Sequence, residues 1–277
     1  LRLKVADPTG LCFGVRRAIE QLESTLKEHG PVHSLGSPIH NPQEIERLSR
    51  LGLVVAERPE DVPQGSVAFV RAHGVGPRVL EALRERCRLV VDGTCPFVRT
   101  AQERAMALSR KGFPVVLVGD RDHPEVRGIL GYVGGEAWVV GGVEEIRGDM
   151  RRPRLGVLSQ TTQKEADLSA VVARLVSLVS ELRVFNTICR ATLERQEAVR
   201  RLAPEVEGIL VIGGKNSANT RKLAEIARDA GADTLWIEHA GELDGRWLEG
   251  KGSLGVAAGG STPDWLILET LQRLEKM

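Results

Sequence analysis

Short apolar runs alternate with amphipathic stretches along most of the chain. RLVVDG is followed by FVRTAQERAMALSRKG, FPVVLVG by PEVRGILGY, and GILVIGG by NTRKLAEIARDAG. A short apolar run bounded by glycine reads as a buried strand, and the stretch after it carries apolar positions at helical spacing. Strand followed by helix, repeated, predicts βαβ units with mainly parallel sheets, an α/β fold. Turns such as RGDMRRP and EVEGIL punctuate the pattern without a long linker or a low-complexity tail, so the domains are expected to pack closely.

Aligning the chain on its cysteines exposes an internal repeat. Cys12, Cys95 and Cys189 each follow a strand-like run and precede a helical one, in CFGVRRAIE, CPFVRTAQE and CRATLERQE. Eight residues on stands a glutamate (Glu20, Glu103, Glu197), and 24 on a glycine (Gly36, Gly119, Gly213). At an offset of 28 come His40, His123 and Ser217, in the loops GSPIHNP, GDRDHPE and GGKNSAN. A further strand in each copy ends in a polar residue: His73 in VAFVRAHG, Thr161 with Thr162 in LGVLSQTT, and Ser261 in LGVAAGGST. We therefore expect three α/β units, at 1–87, 88–182 and 183–277, disposed about a pseudo-threefold axis. Cys87 fits no copy.

In parallel sheets, ligands collect beyond the carboxyl ends of the strands, where all these residues fall. Three convergent thiolates suit zinc or an iron–sulfur cluster, and ligand type alone does not choose between them. Structural zinc is usually held by four ligands in close pairs, whereas these cysteines are single and widely separated. A cubane gripped by three cysteines would keep one iron open for a substrate. Beside the cysteines, His40, His73 and His123 with Ser217, Asn219 and Ser261 offer directional donors for phosphate oxygens. His29, His33 and His239 read as ordinary surface positions. GGKNSAN leads into a helix, whose free N–H groups suit an anion, and its glycines match no Walker pattern.

Composition narrows the functional classes. Lys plus Arg (38) nearly balances Asp plus Glu (37), which argues against a general nucleic-acid binder. The start shows no secretory pattern, and no apolar run reaches the roughly 18 residues of a membrane span, so a cytoplasmic protein is expected. Four cysteines in such a chain point to metal, catalysis or burial rather than to a disulfide framework.

The motifs GLCFGVRRAIE, SPIHNPQEIERL, RAHGV, DGTCPFV, HPEVRG, SQTT, NTICRATLERQEAV, KNSANTRKL and GGSTPDWL, in this order and over nearly the whole chain, resemble the 4-hydroxy-3-methylbut-2-enyl diphosphate reductases. The resemblance implies a trefoil of three α/β domains around one [4Fe–4S] cluster. It implies reductive loss of the substrate hydroxyl, giving isopentenyl and dimethylallyl diphosphates in isoprenoid biosynthesis. Residue by residue, it implies that Cys12, Cys95 and Cys189 bind the cluster and that His40, His73, Ser217, Asn219 and Ser261 cradle the diphosphate, with His123 close by. Glu125 would deliver protons, and Thr161 would orient the hydroxyl with it. Ala218 departs from the pattern, since many members carry a second serine there; its backbone N–H is what remains for phosphate. Phe13 and Phe97 stand where alanine and leucine are common. With no GxGxxG fingerprint after a strand, electrons are expected from a partner such as ferredoxin or flavodoxin. A non-redox dehydratase using the open iron, and a zinc-stabilised binding module, are the competing readings.

Overall fold

The computed structural model describes residues 1–277. The chain opens with β1 (Arg2–Val5) and α1 (Phe13–His29). There follow β2 (Val32–Leu35), α2 (Pro42–Arg50), β3 (Leu53–Ala56), β4 (Val67–Val70), α3 (Pro77–Arg86) and β5 (Leu89–Asp92). The middle third carries α4 (Pro96–Arg110), β6 (Val115–Val118), α5 (Pro124–Leu130), β7 (Ala137–Val140), β8 (Arg154–Ser159), α6 (Glu165–Val176) and β9 (Glu181–Phe185). The last third is α7 (Arg190–Leu202), β10 (Gly208–Ile212), α8 (Ala218–Asp229), β11 (Asp233–Ile237), α9 (Gly245–Leu248), β12 (Ser253–Ala258) and α10 (Asp264–Leu274).

These strands form three four-stranded sheets of one topology, β3-β2-β4-β5, β7-β6-β8-β9 and β11-β10-β12-β1, every pairing parallel. The α/β expectation holds, and the apolar pattern explains the order. VAFV, VVLV and GILVI lie in central strands and are wholly buried, as a strand covered on both faces must be. RLKV and ELRVF interleave charge with apolar residues and lie at edges, half exposed. One feature was not visible in the repeat. β5 and β9, the strands ahead of Cys95 and Cys189, pair with β4 and β8 of the preceding repeat, and β1 pairs with β12 of the last. Sheet membership is thus displaced by one strand from the repeat boundaries.

The chain divides into two compact units, one of residues 1–16, 39–48 and 190–277, the other of 17–38 and 49–189. The first holds the β11-β10-β12-β1 sheet, with Val199, Ile209, Val211, Leu223 and Ala227 packed on one side and Leu210, Ile212, Val256 and Leu266 on the other. In the second, Leu117, Val126, Ile129 and Leu158 join the strand pair β6 and β8 of the second repeat to α5. There α5 lies against the segment after β4, and glycine sets the approach. A Cβ at Gly131 would stand 2.7 Å from the Cα of Gly76, and one at Gly128 would stand 3.3 Å from the Gly74 carbonyl oxygen.

Gly131 has ordinary right-handed helical angles, so only this backbone contact forbids a side chain. Gly131→Ala should cost about 1–3 kcal/mol by overpacking. Gly135→Ala, where a Cβ meets nothing within 4 Å, should be close to neutral. Chemical denaturation of both variants checks the pair; equal stability would mean that the helix shifts freely.

Candidate active site

The three repeats place their chemistry-bearing residues at equivalent points beyond the carboxyl ends of the strands. Each cysteine immediately precedes or caps a helix: Cys12 before α1, Cys95 as the N-cap of α4, and Cys189 before α7. Each cysteine amide donates to the carbonyl of a strand-end residue at 3.0 Å, Cys12 to Gly260, Cys95 to Ala72 and Cys189 to Thr161. All three thiols are half-buried and free of disulfides. The residues ahead of them build the turn. Asp92 Oδ1 accepts the Thr94 amide at 2.9 Å and Asn186 Oδ1 accepts the Ile188 amide at 3.1 Å, so Asp or Asn three residues before the cysteine closes an Asx turn in both repeats. Ahead of Cys12, the loop is held instead by Arg195, which donates through Nε and Nη2 to the Gly10 carbonyl at 3.2 and 2.9 Å.

Cys87 has a different environment. It ends α3, donates its amide to Leu83, and packs with Leu83, Val62 and Val90 beneath the first sheet. The glutamates at the shared offset, Glu20, Glu103 and Glu197, are all exposed on helix surfaces and take no part in the site. His33 lies within β2, half-buried, rather than on a surface loop, while His239 is exposed and accepts the Gly241 amide.

In the first compact unit, Cys12 meets the third-repeat loops. A Cβ at Gly260 would lie 3.6 Å from Cys12 Sγ and 3.2 Å from Asn219 Nδ2, so the thiol and the amide both face this glycine. Ser261 Oγ donates to Ser217 Oγ at 3.3 Å, and Ser217 caps α8 by accepting the Thr220 amide. Ala218, the first residue of α8, is buried, and the first-turn amides of Ala218 and Asn219 have no intrahelical acceptor. The Asn219 Oδ1 is buried and unpaired within the protein. His40 sits beside this loop, its carbonyl packed on Gly214, where a Cβ would clash with the oxygen. His40 is not itself a helix cap; Asn41 performs that task through the Glu44 amide at 2.9 Å.

The second unit carries a continuous polar chain. His73 follows the Ala72 carbonyl that holds Cys95, and its ring meets that of His123 edge-on with centroids 5.3 Å apart. The glycine contacts between Gly74 and Gly128 permit that meeting. His123 caps α5 through Nδ1, which accepts the Glu125 amide at 3.2 Å. An accepting Nδ1 leaves Nε2 as the protonated nitrogen of the neutral ring, a donor.

Glu125, in the first turn of α5, is 2% exposed. Its Oε1 accepts the Thr161 amide at 2.6 Å, and its Oε2 is 2.9 Å from the Thr161 hydroxyl, which donates to it. Burial pushes its pKa up from 4.5 to about 7, opposed only by the two Thr161 contacts. Pairing with a lysine or arginine would have lowered it; none is there. Thr161 closes the chain, since its carbonyl takes the Cys189 amide.

The site residues read from the sequence thus fall into two groups within the two units: Cys12, His40, Ser217, Asn219 and Ser261 in one, Cys95, Cys189, His73, His123, Glu125 and Thr161 in the other. Sequence reasoning missed the supports: Asn41, Arg195, Gly128, Gly131 and Gln160, whose Oε1 accepts the Asp120 amide at 3.0 Å under the His123 loop. Buried long polar side chains give no periodic signal.

No helix is long and apolar enough to cross a membrane. The chain is 44% identical over 277 residues to the 4-hydroxy-3-methylbut-2-enyl diphosphate reductase of Aquifex aeolicus, covering 99% of this chain and 96% of that one. It is 42% identical to the enzyme of the same name from Geotalea uraniireducens, covering 100% and 98%. A solved (E)-4-hydroxy-3-methyl-but-2-enyl diphosphate reductase, described as the terminal enzyme of the non-mevalonate pathway, superposes with a TM-score of 0.73 at 42% identity over the whole of both chains. The corresponding reductase of Plasmodium falciparum shares the fold, with a TM-score of 0.90 at 24% identity over 99% of this chain and 87% of that one. The LytB protein family model matches residues 3–275, and with the relatives above this establishes that the chain belongs to the LytB family.

Proposed function

We propose that the chain is an oxidoreductase that converts 4-hydroxy-3-methylbut-2-enyl diphosphate into isopentenyl and dimethylallyl diphosphates. The carbon–oxygen bond of the allylic alcohol breaks, a pair of electrons enters, one proton leaves with the hydroxyl as water and one ends on carbon. The observation that carries the reading is the buried Glu125, a carboxyl held at a pKa of about 7 and clasped to Thr161, whose carbonyl in turn holds Cys189.

Cys12, Cys95 and Cys189 fit a soft, thiolate-bound group. None of the three is in a disulfide, all share one kind of backbone anchor, and all sit at helix N-termini, where amide dipoles favour negative charge. We assign one ligand of a [4Fe–4S] cluster to each repeat, 1–87, 88–182 and 183–277. A bound cluster would supply single electrons and a Lewis-acidic iron. Its electrons would come from a small carrier of the ferredoxin or flavodoxin kind.

The chain's own residues bind, orient and move protons. Near neutral pH, Glu125 holds a proton that it can give to the departing oxygen. Ionised, its Oε2 accepts from the Thr161 hydroxyl; protonated, it donates to that hydroxyl, whose own proton is then free to turn toward the substrate. Thr161 therefore orients the alcohol in step with the state of Glu125. His73 and the Nε2–H of His123 donate to diphosphate oxygens, as do Asn219, Ser217, Ser261, His40 and the first-turn amides of α8. The Ala218 amide serves where a serine hydroxyl is lacking.

Two measurements test this. Protein purified without oxygen should contain iron and acid-labile sulfide in near-equal amounts, about four of each per chain, with broad visible absorbance; a colourless zinc protein would overturn the assignment. Asn219→Ala should weaken binding of inorganic diphosphate roughly ten- to a hundredfold, the loss of a charge-assisted hydrogen bond. Unchanged affinity by calorimetry would remove Asn219 from the cradle.

A further inference from the structure

The segment after β4 carries a charge that the donors above do not explain. Arg71, directly beyond the strand, is half-buried, its Nε is buried with no hydrogen-bond partner, and no carboxylate bridges it. Its one directed contact is weak, Nη1 to the Ser37 carbonyl at 3.4 Å. The guanidinium instead lies flat on Gly36: a Cβ there would fall 2.3, 2.5 and 2.8 Å from Nη1, Cζ and Nη2. Gly36 also has a φ of +69°, so glycine is required on both counts.

The repeats supply an internal control. Leu35 pairs with Val70, Val118 with Ser159 and Ile212 with Ala258, so Arg71, Gln160 and Gly259 are equivalent residues, each one step past the strand. Each begins the same turn, its carbonyl taking the amide of Gly74, Gln163 or Thr262. Gln160 lies under its loop as Arg71 does, and a neutral carboxamide suffices to hold it. At Gly259 the space is filled by Thr220, and Thr262 donates to the Ile212 carbonyl. Loop support therefore needs no charge in two copies out of three. In the copy where charge is present, desolvation opposes it, lowering the Arg71 pKa to about 10, with Glu57 favouring it only through space and Arg127 opposing it.

A partly buried cation without a counter-ion is opposed by desolvation, and an anion brought to it relieves that cost. Arg71 begins the turn that carries His73. We infer that Arg71 is an electrostatic positioning residue: without touching the ligand, it holds the His73 turn on Gly36 and gives the diphosphate cradle the fixed positive charge that its neutral donors lack. This rests on the diphosphate reading above and assigns the source of its charge selectivity.

The test compares Arg71→Gln and Arg71→Lys holoenzymes by calorimetric titration with inorganic diphosphate and with inorganic monophosphate, alongside thermal melting. A charge acting through a weakly screened interior favours the more highly charged ligand. Arg71→Gln should therefore weaken diphosphate about tenfold and monophosphate much less, with Arg71→Lys restoring most of the difference. Equal losses for both anions, or a lysine variant as weak as the glutamine one, would make Arg71 a support like Gln160 and overturn the proposal. Wild-type affinity in Arg71→Gln would overturn it as well. If the wild-type holoenzyme itself bound no diphosphate, the underlying reading would fail, a result recognisable without any variant.

Discussion

Replacing Glu125 by glutamine lowers turnover by about 10²–10⁴-fold while leaving bound iron and substrate affinity near their wild-type values. Glutamine fits the place: its Oε1 can accept the Thr161 amide and its Nε2 can donate to the Thr161 hydroxyl, so the shell that holds Glu125 survives. Only the transferable proton is gone. Single-turnover reduction in the prereduced variant, followed together with substrate binding, separates chemistry from affinity. Turnover at the wild-type rate would rule out Glu125 as the proton donor. The same carboxyl sets a pH signature. With a folded pKa of about 7, the acid form is lost as pH rises through neutrality, and kcat/KM of the wild type should fall above it. Stability carries the corresponding sign. Below the ordinary carboxyl pKa of 4.5 both folded and unfolded chains hold the proton, and Glu125 contributes no pH-dependent term. From there to about 7 only the folded chain retains it, and above that the fold carries an ionised buried carboxylate, a penalty of roughly 2–4 kcal/mol. Denaturation curves of Glu125→Gln should therefore lack this loss between pH 5 and 8.

The second large effect separates the cysteines. Serine at Cys12, Cys95 or Cys189 should each remove most of the bound iron, while serine at Cys87 should retain it. A hydroxyl is a far poorer ligand for iron than a thiolate, and the three share a backbone anchor that Cys87 lacks. Cys87 lies against Val62, Leu83 and Val90, with its sulfur 3.9 Å from Ser66 Oγ, so serine there should cost only a modest amount of stability. Iron and sulfide analysis of four variants purified without oxygen gives the answer; equal loss in all four would defeat the assignment.

Much of this arrangement is legible in the sequence, because it rests on local signals. Buried strands announce themselves as VAFV, VVLV and GILVI, and His40, His123 and Ser217 recur at one offset from the cysteines. Those residues do lie at corresponding points, five residues beyond β2, β6 and β10. The offset was also misleading in places. Glu20, Glu103 and Glu197 share it only because the helices they ride begin in register, and all three face solvent. Cap chemistry differs as well: His123 and Ser217 cap their helices, whereas His40 leaves that to Asn41.

What was hidden is nonlocal. That β5 pairs with β4 depends on contacts between distant strands, which the strand LVVD itself does not encode. The need for glycine at Gly131 comes from Gly76, a residue far from it in the sequence. The raised pKa of Glu125 comes from the chain's own burial of the carboxyl, a quantity no motif carries. Arg71, in the motif RAHGV, gave no sign of being withdrawn from water.

A reductive reaction fed by external electrons is tested by its electron balance. Anaerobic holoenzyme would be supplied with 4-hydroxy-3-methylbut-2-enyl diphosphate and a known amount of a one-electron reductant, and the products counted. About two electrons should be consumed per molecule of isopentenyl or dimethylallyl diphosphate formed, with no conversion in the absence of reductant. Loss of the hydroxyl at an undiminished rate with no reductant present would make the protein a dehydratase and contradict the reductive assignment.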